Sequence, residues 1–176
     1  FDLWATQNIT FENDTDFSYL RLSPHPSSPA VNQTENVQRK WLDNKFYAAS
    51  LRGQYQKGAL NFDFGGLFSH YTGDHFGRLR WANEVVNINP NHEFYRSDAR
   101  KQEAALYTKW NFNYRSDWFI YVDFQLRNVN YRTEGTLAGP ETINVNEQYN
   151  FFNPKAGVTY VLNPKNIFRV LGSNFS

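Results

Sequence analysis

Successive side chains along a β-strand point to opposite faces, so a strand half in water and half in an apolar medium carries a two-residue period. The stretch Ala104–Tyr131 keeps that period twice over. Its second arm places Trp118, Ile120, Val122, Phe124 and Leu126 on one face and Tyr121, Asp123, Gln125 and Arg127 on the other. Its first arm sets Leu106, Thr108, Trp110 and Phe112 against Tyr107, Lys109 and Asn111, and Asn113–Asp117 joins the two. One apolar face and one charged face on both arms predict a β-hairpin that no helical period fits.

The pattern recurs. Phe46–Gln56 carries Tyr47, Ala49, Leu51, Gly53 and Tyr55 on its apolar face, and a tight turn at Gln56–Ala59 leads to Leu60, Phe62, Phe64, Gly66 and Phe68. Near the C-terminus Phe152, Ala156, Val158, Tyr160 and Leu162 share a face, the turn Leu162–Asn166 follows, and Ile167–Phe175 reads as a further strand. Pro154 cannot donate to a ladder and marks a strand start or a bulge. Between hairpins lie polar stretches read here as connections: Ser23–Asn36, His70–Arg100 and Arg132–Gln148. Phe1–Leu22 holds one or two short strands or an aromatic loop. Short turns at one end and long connections at the other are the layout of an outer-membrane barrel. A soluble up-and-down barrel or sandwich also shows period-two strands, with its apolar face turned inward.

Composition narrows the field. Aromatics reach 18% of the chain, with 16 Phe, 11 Tyr and 5 Trp; such residues favour strands and form belts at membrane interfaces. A transmembrane helix needs about 20 mostly apolar residues, whereas apolar runs here stop after a few, as in Trp118–Val122. The net charge of +1 carries no polyanion footprint, so nucleic acid is not an expected partner. No cysteine is present, which removes disulfides and thiolate chemistry. No Gly-X-Ser-X-Gly elbow, phosphate-cradling glycine loop or His-Glu-X-X-His occurs. No enzymatic activity, catalytic residue, cofactor or metal site is expected.

Three stretches carry a resemblance. Arg39–Tyr47 (RKWLDNKFY) is similar to the KWLDNDFYG strand entry of TonB-dependent outer-membrane receptors of the Bacteroidetes type. Thr72–Ala82 (TGDHFGRLRWA) is similar to their DGDHFGRVIWA loop, and Phe151–Tyr160 (FFNPKAGVTY) to their FFNPKAGLFY strand. The three occur in the family's order; Phe1–Thr15 and Leu171–Ser176 depart from its pattern. The resemblance implies an all-β, antiparallel transmembrane β-barrel with a plug domain, of about 22 strands. Residues 1–176 would supply six to eight of those strands as a partial barrel domain, with plug and closing strands absent. It implies a Gram-negative outer-membrane location and TonB-dependent uptake of a scarce nutrient such as a ferric siderophore, haem or cobalamin. The implied partners are outer-membrane lipid, the protein's own plug and, through it, TonB, and a small-molecule nutrient or metal chelate. Two other readings stay open: a small non-transporting outer-membrane barrel, and a soluble extracellular β-domain that binds glycan or protein.

Candidate ligand-binding residues lie in the His70–Arg100 connection: Tyr71, Asp74, His75, Arg78, Arg80, Trp81, His92 and Tyr95. Guanidinium groups suit anionic chelates and aromatic rings suit stacking. Salt bridges that pack the loop, and histidines that hold turns by hydrogen bonds, are the plainer alternatives. Gly73 and Gly77 predict a tightly turned, folded loop. Arg52, Asp123, Gln125, Arg127 and Lys155 fall on the polar faces, where a barrel would turn them toward its lumen and plug.

Overall fold

The computed structural model describes residues 2–23, 25–27, 32–83, 89, 91–137, 139 and 141–174, with backbone alone over 2–14. Among them there is no helix. Seven strands form one antiparallel sheet: β1 (Asp2–Asp16), β2 (Gln33–Lys57), β3 (Leu60–Ala82), β4 (Glu93–Tyr114), β5 (Trp118–Thr136), β6 (Thr142–Asn163) and β7 (Asn166–Ser173). Each strand pairs with its sequence neighbours, so β1 and β7 are the outermost of the order. The β1–β2 register runs from Asp2 opposite Tyr47 to Asp16 opposite Gln33. That of β6–β7 runs from Lys155 opposite Ser173 to Asn163 opposite Asn166, with an irregularity between Val161 and Asn163.

The all-β expectation holds, and the three short turns fall where the composition places them. Gly58 carries φ +56° in the β2–β3 turn, a conformation glycine adopts without a Cβ penalty. The long polar connections do not hold. His70–Arg100 is mostly strand: β3 continues to Ala82 and β4 starts at Glu93. Residues 132–136 and 142–148 likewise belong to β5 and β6, and β2 begins at Gln33 inside the expected Ser23–Asn36 loop. Part of that loop lies outside the described residues. Phe17–Leu22 is a turn, closed by Leu20 N–H to Asp16 C=O (3.2 Å) and Leu22 N–H to Phe17 C=O (2.9 Å). A polar extended segment has no apolar stripe to announce it, yet its backbone groups are satisfied as well by a ladder as by turns.

The chain divides into two compact units, and β2 to β6 each contribute to both. The first unit comprises Phe1–Tyr47, His70–Lys101 and Tyr131–Glu147. It packs a small apolar cluster of Leu20, Leu79, Ala82 and Phe94, with Tyr19, Leu22 and Tyr95 against it. Beside that cluster three polar side chains of β2 are buried, Thr34, Asn36 and Gln38. Each has a partner: Thr34 Oγ1 donates to the Asn83 C=O, Asn36 Nδ2 to the Thr34 C=O (2.8 Å), and Gln38 Nε2 to Asn36 Oδ1 (2.9 Å) and Thr15 Oγ1 (3.0 Å).

The second unit comprises Ala48–Ser69, Gln102–Asn130 and Gln148–Ser176. Val129 is its one buried apolar residue among the described residues. Its apolar faces are uncovered: Leu51 is 71% exposed, Leu106 63% and Val170 74%. Rings meet across strands on these faces, Phe62 on Trp110 (4.0 Å), Trp118 on Tyr160 (4.6 Å) and Phe124 on Phe152 (6.2 Å). The opposite faces are polar, with Arg52–Asp63 (3.5 Å), Arg127–Glu103 (2.8 Å) and Gln54 donating to Asn61 (3.3 Å).

Candidate functional site

The residues expected to bind ligand all lie in the first unit, but they do not converge on one pocket. Tyr71 and His75 meet at Asn44: the Tyr71 hydroxyl donates to Asn44 Oδ1 (2.8 Å), and His75 Nε2 lies 3.2 Å from the same oxygen. Gly73 sits between them, where a Cβ would come within 2.5 Å of the Tyr71 oxygen. Burial pushes the Tyr71 and Tyr95 phenols above their ordinary range. Tyr95 packs edge-on against Phe94 (5.1 Å). His92 Nε2 meets Leu20 C=O at 2.8 Å and ties the residue before β4 to the turn after β1. Trp81 is 48% exposed at the end of β3, and Arg80 is exposed beside it.

Arg78 has a built environment. Its Nε and Nη2 both donate to Glu93 Oε1 (3.1 and 2.9 Å). Arg96 takes the same carboxylate from the other side, Nε to Oε2 and Nη2 to Oε1, both at 2.9 Å. The guanidinium carbon of Arg78 lies 5.1 Å from the Phe76 ring and 5.5 Å from that of Trp41; that of Arg96 lies 4.4 Å from Phe76. Trp41 and Phe76 stack at 5.1 Å and 12°, and Arg39 lies 5.0 Å from the Trp41 ring. Three adjacent strands thus interleave guanidinium groups with aromatic rings, an attraction of positive charge for the ring face. Hydrogen bonds from Arg96 and then Arg78 hold the Glu93 carboxyl below the usual carboxylate range against the opposing effect of burial. The Glu93 hydrogen bond raises Arg96 further. Asp74 hydrogen-bonds Asp98 and so raises the Asp98 carboxyl above its ordinary range.

Local backbone places Arg96. Its N–H donates to Thr136 Oγ1 (3.0 Å), and that hydroxyl donates to the Arg96 carbonyl (3.3 Å). Gly135, at φ +133°, brings β5 so close that a Cβ there would lie 2.3 Å from the Arg96 oxygen. Sequence reading missed Trp41, Phe76, Glu93 and Arg96. Glu93 and Arg96 are three apart, and Phe94 and Ser97, also three apart, are both buried. A strict two-residue period puts both pairs on opposite faces, so alternation alone cannot find this cluster.

The polar-face residues belong to the second unit. Asp123 is 7% exposed; its Oδ2 accepts from the Tyr121 hydroxyl (2.9 Å) and Gln125 Nε2 (3.4 Å), and its Oδ1 has no hydrogen-bond partner. Arg52 and Arg127 pair with Asp63 and Glu103 on that face, and Lys155 stands opposite Ser173. Among the described residues no group of three or more His, Cys, Asp or Glu is placed to hold a metal ion. No protein-family model matches the chain, and no curated protein matches it.

Proposed function

We propose that this chain forms part of the wall of a β-barrel in a Gram-negative outer membrane, in a TonB-dependent receptor that imports a scarce nutrient such as a ferric siderophore, haem or cobalamin. One observation carries the membrane half of the reading. Of the large apolar side chains that are exposed among the described residues, all but Phe46, Tyr47, Trp81, Tyr131 and Leu137 lie in the second unit. A water-soluble monomer rarely leaves more than a few hundred Å² of contiguous apolar surface uncovered. Strand length supports the same reading. The second unit takes residues 48–57 of β2, 60–69 of β3, 102–114 of β4 and 118–130 of β5. A tilted strand crosses the hydrocarbon core in about 9–11 residues. The remainder of each strand would stand in water, where polar side chains cost nothing.

The transport half rests on the resemblance of 39–47, 72–82 and 151–160 to TonB-dependent receptors. In that mechanism the nutrient is held by outer segments and plug, and TonB drives a plug rearrangement that opens the lumen. Arg52, Asp123, Gln125, Arg127 and Lys155 would then face the plug. A strain with and without the full gene, grown on defined iron, haem or cobalamin sources, tests this. Loss of growth on one source alone is the expected result. Normal growth on all, with the intact protein in the outer membrane, would leave the smaller non-transporting barrel. Recovery as a soluble monomer without detergent would remove the membrane reading as well.

A further inference from the structure

The Arg78–Glu93–Arg96 cluster suggests a role beyond tying β3 to β4. Two guanidinium groups share one carboxylate, so the trio carries a positive charge in excess. Both guanidinium groups lie within 5.1 Å of the Phe76 ring centre and are held at two points each by Glu93; donors held in place lose less entropy when a ligand arrives. Each guanidinium turns its Nε–Nη2 edge toward Glu93. The side chains nevertheless stay 32% and 42% exposed, within reach of solutes. Asp74 and Asp98 are the other carboxylates near Arg96. The trigonal fork of arginine matches phosphate oxygens as it matches a carboxylate.

We propose that Arg78 and Arg96, walled by Trp41 and Phe76, form a binding site for a phosphate-type oxyanion, with Glu93 as an internal anion that competes for the same donors. This does not depend on the transport reading. It makes an uncommon demand on mutants: removal of an acidic residue must strengthen ligand binding, and removal of a basic partner in the same ion pair must weaken it. A purely structural ion pair makes no such demand.

The test is calorimetric titration of the intact protein in zwitterionic detergent micelles. One arm uses inorganic phosphate and the other a short-chain phosphatidylglycerol; the arm that saturates identifies free phosphate or a lipid headgroup as the source. Saturable binding is expected in at least one arm. Glu93→Gln should tighten it several-fold and Arg78→Gln weaken it about tenfold, the scale of one lost charge-assisted contact. Arg96→Lys, which keeps the charge but loses the fork, should also weaken it, and it serves if Arg78→Gln does not fold. No binding in either arm, or Glu93→Gln binding no more tightly than the parent, would overturn the proposal and leave the cluster as a strand-to-strand brace.

Discussion

At the residue scale, the first unit is held by groups whose removal has a calculable sign. Gly135 combines a positive φ with backbone of β4 against the place of its missing Cβ. Gly135→Ala meets both strain and a clash with atoms that cannot swing away, and should cost about 2–3 kcal/mol. The measurement is the thermal midpoint of the intact protein's β-sheet circular dichroism; an unchanged midpoint would refute the close approach. Glu93 and Asp98 titrate with opposite consequences. The Glu93 carboxyl is depressed in the folded state, so its contribution is present above its ordinary value of 4.5 and fades as pH falls through the lower folded value. Glu93→Gln should therefore cost about 1 kcal/mol at pH 7, since the groups are partly exposed, and progressively less in acid. The Asp98 carboxyl is raised, so the folded state holds a proton that the unfolded chain releases near 3.8, and stability falls as pH rises through the folded value. Asp98→Asn keeps a donor toward Asp74 at every pH. It should gain up to about 1 kcal/mol at pH 7 and nothing at pH 3, read as melting temperature against pH.

At the element scale, the facing of β5 decides what its mutants do. Val122 shares the face of Ile120 and Phe124, both exposed, whereas Gln125 donates to Asp123 on the other. In a bilayer, Val122→Lys would place an ammonium group in hydrocarbon at up to about 2–4 kcal/mol, depending on depth. Gln125→Lys should fall within about 1 kcal/mol, because it meets the Asp123 carboxylate. Heat-dependent mobility of the assembled protein on gels separates the two, and equal behaviour would count against the assigned faces. The hairpin at 104–131 was legible because its side chains alternate between two media. The outer reaches of β3 and β4 were not, because a strand wet on both faces has no such contrast. His75 and Arg78 look like loop chemistry in sequence; in the fold one is tied to Asn44 of β2 and the other to Glu93 of β4.

For the molecule as a whole, the decisive quantity is apolar surface with no protein over it. Burying a leucine-sized side chain is worth about 1.5–3 kcal/mol, and the second unit leaves many such side chains uncovered, among them Leu51, Leu106, Leu126, Leu162, Phe168 and Leu171. Bilayer hydrocarbon would supply the missing cover. Single-tryptophan variants of the intact protein in vesicles with brominated acyl chains report this directly. Trp110 and Trp118, in the second unit, should be quenched; Trp41, stacked on Phe76 in the first, should not. Equal quenching of all three, or none, would count against assigning the second unit to the bilayer.

The sequence by itself determined that the chain is antiparallel β, where its three short turns lie and which side chains share a face in each hairpin, because alternation is a property of neighbouring residues. Only the tertiary structure decided that polar segments continue as strand, that Leu20 and Phe94 make a small core, and that Trp41, Phe76, Arg78, Glu93 and Arg96 form one cluster. Those contacts join residues up to dozens of positions apart, across strands and at a place where the two-residue period slips, and no local pattern records them.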